Sequence, residues 1–89
     1  WTVFGGNVVE VALEFSGRAA RLVSSGTYLS EEEKSPLPKG RLLYRAKVAG
    51  LAEIGRWIMG FGPEVKVLEP SELRQWVVDQ AEGILAHNS

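Results

Sequence analysis

The sequence of 89 residues contains no cysteine and only one histidine. Without a thiol there is no disulfide framework, no cysteine nucleophile, no zinc knuckle and no ligand set for an iron–sulfur cluster, which fits a reducing cytoplasm. His87 lies near the C-terminal end, so the serines have no internal histidine to act as a base, and the scattered carboxylates lack metal-ligand spacing. We therefore expect a domain that is not an enzyme and that uses no metal or other cofactor.

Long apolar runs and an excess of one charge are also missing. No stretch approaches the roughly 18 apolar residues that suggest a membrane span. Ten lysines and arginines face eleven acidic residues, so the net charge of −1 gives no overall preference for nucleic acid. We predict a cytoplasmic domain that does not contact a membrane.

Two stretches alternate apolar and polar residues, which is typical of strands with one buried face. Val9 to Phe15 follows this pattern, and Arg41 to Val48 repeats it until Gly50. Ser16 is placed to cap a helix that ends at Gly26. These patterns predict two central strands and a first helix.

Residues 27–40 show no single pattern. Tyr28 and Leu29 indicate the beginning of a short edge strand, whereas the charge run from Glu31 to Lys34 indicates a solvated loop. The prolines of this segment limit strand pairing, and Pro38-Lys39-Gly40 is typical of a turn. We predict a short edge strand, a loop and this turn.

The second half of the chain predicts two helices around one short strand. Apolar residues at helical spacing indicate a helix from Leu51 to Phe61, which Gly62-Pro63 ends. Glu64 to Leu68 is too short and too β-branched for a helix, so it predicts a strand. Ser71 is placed to cap a last helix from about Glu72 to Ala86. Its predicted buried face consists of Leu73, Trp76, Val77, Ala81, Ile84 and Leu85.

The predicted order is strand, helix, strand, strand, helix, strand and an added helix. This is the order of an α+β, ferredoxin-like βαββαβ sandwich, with an antiparallel sheet and helices on one face. The first residue is Trp1 rather than methionine, which indicates a piece of a longer protein. We expect residues 1–7, W-T-V-F-G-G-N, to be a linker from an upstream domain and residues 8–89 to form one domain.

Residues 56–74, R-W-I-M-G-F-G-P-E-V-K-V-L-E-P-S-E-L-R, resemble the signature of a known family. It is the WCX domain, the C-terminal extension of bacterial WYL-domain transcriptional regulators. Upstream, V-F-G-G-N-V-V-E-V-A-L-E-F-S-G-R-A-A resembles the linker, first strand and first helix of the same family. The matching positions of the signature are Trp57, Gly60, Phe61, Gly62, Val65, Val67, Leu68, Glu69, Pro70, Leu73 and Arg74.

The resemblance implies a parent protein of three parts, in which a helix-turn-helix domain binds promoter DNA and a WYL domain senses a ligand. Members of the family are usually homodimers, and some respond to nucleic acid, including single-stranded DNA, as effector. For the parent of this domain the resemblance implies a nucleic-acid or small-molecule effector. The parent rather than this domain is expected to bind DNA. The resemblance thus predicts a regulatory and dimerisation domain that relays effector binding to the helix-turn-helix domain.

Four arginines are the candidate contacts for an anionic effector. Arg18 and Arg21 lie in the first turns of the first helix, where backbone N–H groups also face an anion. Arg41 and Arg45 lie on the predicted open face of the sheet. The alternatives are a solvated helix face for the first pair, and pairing with the carboxylates of the first strand for the second.

Eight residues of the motif region are predicted to pack in the core or to form an interface. They are Trp57, Phe61, Gly62, Glu69, Pro70, Leu73, Arg74 and Trp76.

A second hypothesis is a stand-alone, ACT-like domain that binds a small molecule at a dimer interface. Such domains share the element order and favour a glycine-rich turn after the first strand. Ser16-Gly17 is the only hint of that turn in this sequence.

Overall fold

The computed structural model of the chain describes residues 8–29 and 31–88, so the predicted linker at residues 1–7 lies outside the described residues. The elements are β1 (Val9–Phe15), α1 (Gly17–Ser25), β2 (Glu32–Pro36), β3 (Leu42–Val48), α2 (Leu51–Met59), β4 (Val65–Glu69) and α3 (Ser71–Asn88). The four antiparallel strands form one sheet in the order β2-β3-β1-β4. Short 3-10 turns at Pro38–Gly40 and Gly62–Glu64 precede β3 and β4.

The central strands β1 and β3 confirm the predicted alternation. Leu13 is opposite Tyr44 and Phe15 is opposite Leu42, and all four side chains are buried. On the same face they join buried residues of α1 and α2 in one apolar core, while residues such as Glu10 remain exposed on the other face. This is the predicted ferredoxin-like sandwich with its helices on one face of the sheet.

The edge strand β2 corrects the prediction for residues 27–40. The strand is the charged segment Glu32–Pro36 itself, whereas Tyr28 and Leu29 precede it. A charged segment can form this strand because it lies at the edge of the sheet and its inward-facing Glu32 finds hydrogen-bond partners. The predicted turn at Pro38–Gly40 is confirmed, with Lys39 at φ 65.

The last helix corrects two further predictions. It begins at Ser71, so Ser71 is the first helical residue and not the cap. Leu73 is buried, but Ile84 and Leu85 are 54% and 69% exposed. The reason is length: 18 residues of α3 span about 27 Å, whereas the five residues of β4 span about 17 Å. The remaining members of the predicted buried face are Trp76 and Val77, which are half-buried, and Ala81, which is exposed.

Candidate functional site

The motif aromatics Trp57 and Phe61 belong to an aromatic cluster beneath the sheet. Their ring centroids lie 5.1 Å apart with the planes nearly perpendicular, and Phe15 of β1 is 5.1 Å from Phe61 and 5.8 Å from Trp57. Such edge-to-face pairs add to the stability gained from burial. Trp57 and Phe61 are therefore packing residues that fix the end of α2 against the central strand.

The residues after β4 connect the sheet to α3. Glu69 and Pro70 are joined by a cis peptide bond, and three residues later the Leu73 side chain is completely buried. The next residue, Arg74, donates a hydrogen bond from Nη2 to the backbone oxygen of Leu68 at 3.0 Å. The spacing L-E-P-x-x-L-R therefore attaches the first turn of α3 to both the core and the end of β4.

Helices α2 and α3 approach closely where Trp76 lies on Gly55. A β-carbon built on Gly55 would stand 2.4 Å from the Trp76 ring, which is closer than two carbon atoms approach each other. Only glycine fits at this point without a shift of the helix or the ring. The half-buried Trp76 thus sets the distance between the two helices.

The turn between α2 and β4 caps the first helix. Gly62 has φ 63, a left-handed conformation that favours glycine. The carboxylate of Glu64 then accepts hydrogen bonds from the backbone N–H groups of Arg18 at 3.3 Å and Ala19 at 3.0 Å. Ser16 is the N-cap residue of α1, as predicted, but its side chain makes no capping hydrogen bond, and the Glu64 carboxylate accepts those bonds instead. Residues 46 positions apart in sequence meet here, so local pattern could not reveal the cap.

An apolar surface depression adjoins the exposed part of α3, and we call it the apolar groove. Its volume is about 390 Å³. One wall is the C-terminal half of α3 and the other is the end of α2 with the turn that follows. Exposed apolar surface of this kind is typical of protein interfaces and ligand sites. The groove is lined by Ile58, Met59, Gly62, Pro63, Val65, Val77, Ala81, Ile84 and Leu85.

The four predicted arginine contacts are not brought to one place. Arg21 and Arg41 line a shared cleft of about 270 Å³ beside the Pro38–Gly40 turn. Arg45 lies in a different groove, and Arg18 is exposed on α1. Anion contact by these residues stays a prediction, and the first-turn N–H groups of α1 that supported it are bonded to the Glu64 carboxylate.

The predicted charge pairing across β1 and β3 is confirmed at one position. Arg41 Nη1 lies 2.8 Å from Glu14 Oε2. Glu10 stands opposite Lys47 in the strand register. The open sheet face therefore carries acidic and basic residues on neighbouring strands, an arrangement that neutralises much of its own charge.

The comparison with family models identifies the domain. The WCX domain model matches residues 7–85. The chain belongs to the WCX domain family.

A solved structure supports the assignment of this WCX domain. The chain is similar to part of proteasome accessory factor B/C (PafBC) of Arthrobacter aurescens, with 27% sequence identity and a TM-score of 0.75. The similarity covers 97% of this chain and 13% of that chain, so the WCX domain corresponds to a small part of the larger protein. A comparison with curated proteins finds no match.

Sequence reasoning missed one polar cluster of this WCX domain, centred on Glu32. Its carboxylate accepts hydrogen bonds from the Tyr44 hydroxyl at 2.6 Å and from the backbone N–H groups of Tyr28 and Leu29 at 3.0 Å. Lys34 Nζ lies 3.1 Å from the same carboxylate and also donates to the Gly26 carbonyl. The cluster holds the segment after α1 against the edge strand.

Two side chains of this cluster, Glu32 and Tyr44, have strongly shifted pKa values. Burial by itself raises the pKa of Glu32, but the hydrogen bonds from Tyr44, Leu29, Tyr28 and Lys34 outweigh it and lower the pKa to about 2. Burial and the hydrogen bond to Glu32 raise the pKa of Tyr44 well above its ordinary range. Both shifts follow from a structural hydrogen-bond network, and neither places a titrating group near neutral pH.

Two further features of the described part of the WCX domain bear on its chemistry. Within residues 8–29 and 31–88, no helix is long and apolar enough to cross a bilayer. In the same residues no three side chains of the metal-binding types converge. The apolar groove is the candidate functional site, because exposed apolar side chains of α3 line it.

Proposed function

We propose that this WCX domain is the regulatory and dimerisation domain of a WYL-family transcriptional regulator. In this proposal, WYL and helix-turn-helix domains precede it in the parent chain, and the parent rather than this domain binds promoter DNA. The observation that carries the proposal is the apolar groove. Its α3 wall includes Ile84 and Leu85, which are more than half exposed and whose burial by a partner would be favourable.

The connections around the groove support a relay to the rest of the domain. The groove includes Gly62 and Pro63, and the next residue, Glu64, caps α1. A shift of this turn therefore reaches the helix that carries Arg18 and Arg21. Effector binding in the neighbouring WYL domain would change how two copies pack, and the altered packing would reposition the DNA-binding domains. Such a relay requires two arrangements that differ by a few kcal/mol, as in other two-state switches.

The cleft between α1 and the turn before β3 favours a second role, contact with an anionic effector. Arg21 and Arg41 line it together, and the guanidinium group binds phosphate oxygens well. An anion in the cleft would compete with Glu14 for the guanidinium group of Arg41. The effector can be a nucleic acid or a small molecule. In this role Arg18 and Arg45 would contribute positive charge from outside the cleft. The family match favours the WYL-regulator hypothesis over the ACT-like sensing domain.

Sedimentation equilibrium of the chain tests the two roles together. The experiment is run over a range of concentrations, with and without a short single-stranded oligonucleotide, at low and moderate salt. We expect a dimer whose mass does not depend on the oligonucleotide. A monomer that binds the oligonucleotide, with affinity that falls as salt rises, would contradict the dimerisation role and support the arginine cleft.

A matched pair of variants locates any binding that is observed. Arg21→Gln removes one positive charge from the cleft, whereas Lys66→Gln removes one from β4, outside it. Binding in the cleft predicts a loss with the first variant and little change with the second. An equal loss with both would indicate attraction by overall charge alone.

A further inference from the structure

The exposed apolar residues of α3 are arranged symmetrically about Ala81. Val78 and Ile84 lie three positions before and after it, and Val77 and Leu85 lie four positions before and after it. Residues three and four apart share one face of a helix, so the five side chains form one stripe, which we call the α3 stripe. Ala81, the smallest of the five, stands at its centre.

This arrangement matches the symmetry of an antiparallel pair of identical helices. A two-fold axis perpendicular to two helices at Ala81 places each residue before Ala81 opposite the residue equally far after it on the partner. Val77 then meets Leu85, Val78 meets Ile84, and Ala81 meets its own copy. A stripe that is complementary to itself is what an interface between two copies of one chain requires.

Exposure shows that the α3 stripe is available for such a contact. Val78, Ile84 and Leu85 are 42%, 54% and 69% exposed, and Ala81 is also exposed. The half-buried Val77 joins the stripe to the body of the domain. The part of the stripe from Val78 to Leu85 therefore presents apolar surface to solvent.

The area needed for a stable dimer indicates that the groove takes part. A standard interface buries about 800 Å² on each partner, about a seventh of the 5819 Å² surface of this chain. The α3 stripe alone, from Val77 to Leu85, is about 12 Å long and about 10 Å wide, which is too small an area. Contact must extend across the apolar groove to Met59 and Pro63, which form its opposite wall.

We infer that two copies of this chain associate through antiparallel α3 helices crossing at Ala81, with each α3 seated in the apolar groove of the other. This inference rests on the proposed dimerisation function and specifies its geometry. It also places Glu82 of each copy beside the axis, where the two carboxylates repel each other. Glu82→Gln should therefore tighten association by about twofold, the effect of relieving one like-charge pair.

Cysteine crosslinking tests the geometry directly, because the natural sequence has no cysteine. Helix axes at a close crossing lie about 8 Å apart, and subtracting the two helix radii of about 2.3 Å leaves the central α-carbons within reach of a disulfide. Under mild oxidation, Ala81→Cys should form a crosslinked dimer. Ala86→Cys, also an exposed alanine of α3, lies outside the stripe and should remain uncrosslinked.

A mixing experiment distinguishes antiparallel from parallel pairing. Val77→Cys and Leu85→Cys should each fail to crosslink alone, since like positions lie about 12 Å apart along the helices. A mixture of the two should crosslink. Crosslinking of each variant with itself, and not in the mixture, would show parallel pairing and overturn the inference.

The outcomes separate this inference from the function on which it rests. If the chain dimerises in sedimentation but the Ala81→Cys variant does not crosslink, the dimerisation function stands and the α3 pairing is refuted. A chain that stays monomeric contradicts both. Leu85→Glu provides a variant at a mostly exposed position, so its fold should survive while its association weakens at least tenfold.

Discussion

At the scale of single residues, the described structure depends on carboxylates placed where the sequence alone gives no sign of them. Glu32 lies in a run of three glutamates, and only its contacts distinguish it from Glu31 and Glu33. Glu64 follows a Gly-Pro turn and caps a helix by accepting a hydrogen bond from Arg18, 46 positions earlier in the sequence. Sequence pattern reports local periodicity, so side chains whose partners are distant in sequence escape it.

Replacing Glu32 by glutamine should lower the free energy of unfolding by about 2 kcal/mol at pH 7, because hydrogen bonds to a carboxylate are lost. The pKa of Glu32 is lowered from its ordinary 4.5 to about 2 in the folded state. The stabilisation is therefore present above pH 4.5 and is lost as the pH falls toward 2. Urea unfolding at pH 7, 4 and 3 should show that the difference in the free energy of unfolding between the original chain and the Glu32→Gln variant becomes smaller as the pH falls.

The control for this change is Glu31→Gln, which removes the same charge from an exposed neighbour. It should leave the free energy of unfolding nearly unchanged at each pH. A loss for Glu32→Gln that stays constant from pH 7 to pH 3 would contradict the role of the ionised carboxylate.

At the scale of elements, the sequence predicts secondary structure best where one face of the element is buried, because the apolar residues then recur with the period of that element. The alternation of β1 and β3 gave the correct strands and the correct buried faces, since both strands are central and one side of each packs on helices. The edge strand β2 was misassigned because a charged segment at the edge has no such alternation. For α3, spacing correctly indicated an apolar face, but spacing cannot show whether anything covers it.

The crossing of α2 and α3 gives a prediction at this scale. Gly55→Ala should lower the free energy of unfolding by about 1–2 kcal/mol, because its β-carbon overlaps the Trp76 ring. Gly83→Ala is the matched control in α3, where nothing lies within 4 Å of the added carbon. It should stabilise the protein by up to about 1 kcal/mol through helix propensity. If chemical denaturation shows that both substitutions change the free energy of unfolding in the same direction, this account of the helix crossing is contradicted.

At the scale of the whole molecule, the candidate site could be predicted only in part. The family motif overlaps the candidate site, since Gly62 and Val65 line the apolar groove. Other motif residues, such as Trp57, Phe61 and Leu73, pack in or against the core. The groove arises because α3 is longer than the strand of the sheet beside it. This difference in length leaves apolar residues uncovered, which becomes visible only when the elements are assembled.

Association of the folded chain should make its thermal stability depend on concentration. A partner that binds only the native state raises the melting temperature, and for a dimer of this size each tenfold increase in concentration should add about 3 °C. Differential scanning calorimetry over two decades of concentration measures this. The Leu85→Glu variant should melt at a lower temperature at every concentration, by about 3 °C for each tenfold weakening of association, and equal melting temperatures in the two proteins would place the contact elsewhere.

The two outer strands bear on how far assembly of this domain can proceed. In β2, Lys34 is charged and Pro36 has no N–H group to offer a further strand. At β4, Arg74 occupies the carbonyl of Leu68. Both edges of the sheet thus discourage growth by strand addition, and strand addition is the route by which sheets polymerise into fibrils. We therefore expect the sheet of this domain to resist amyloid-like growth.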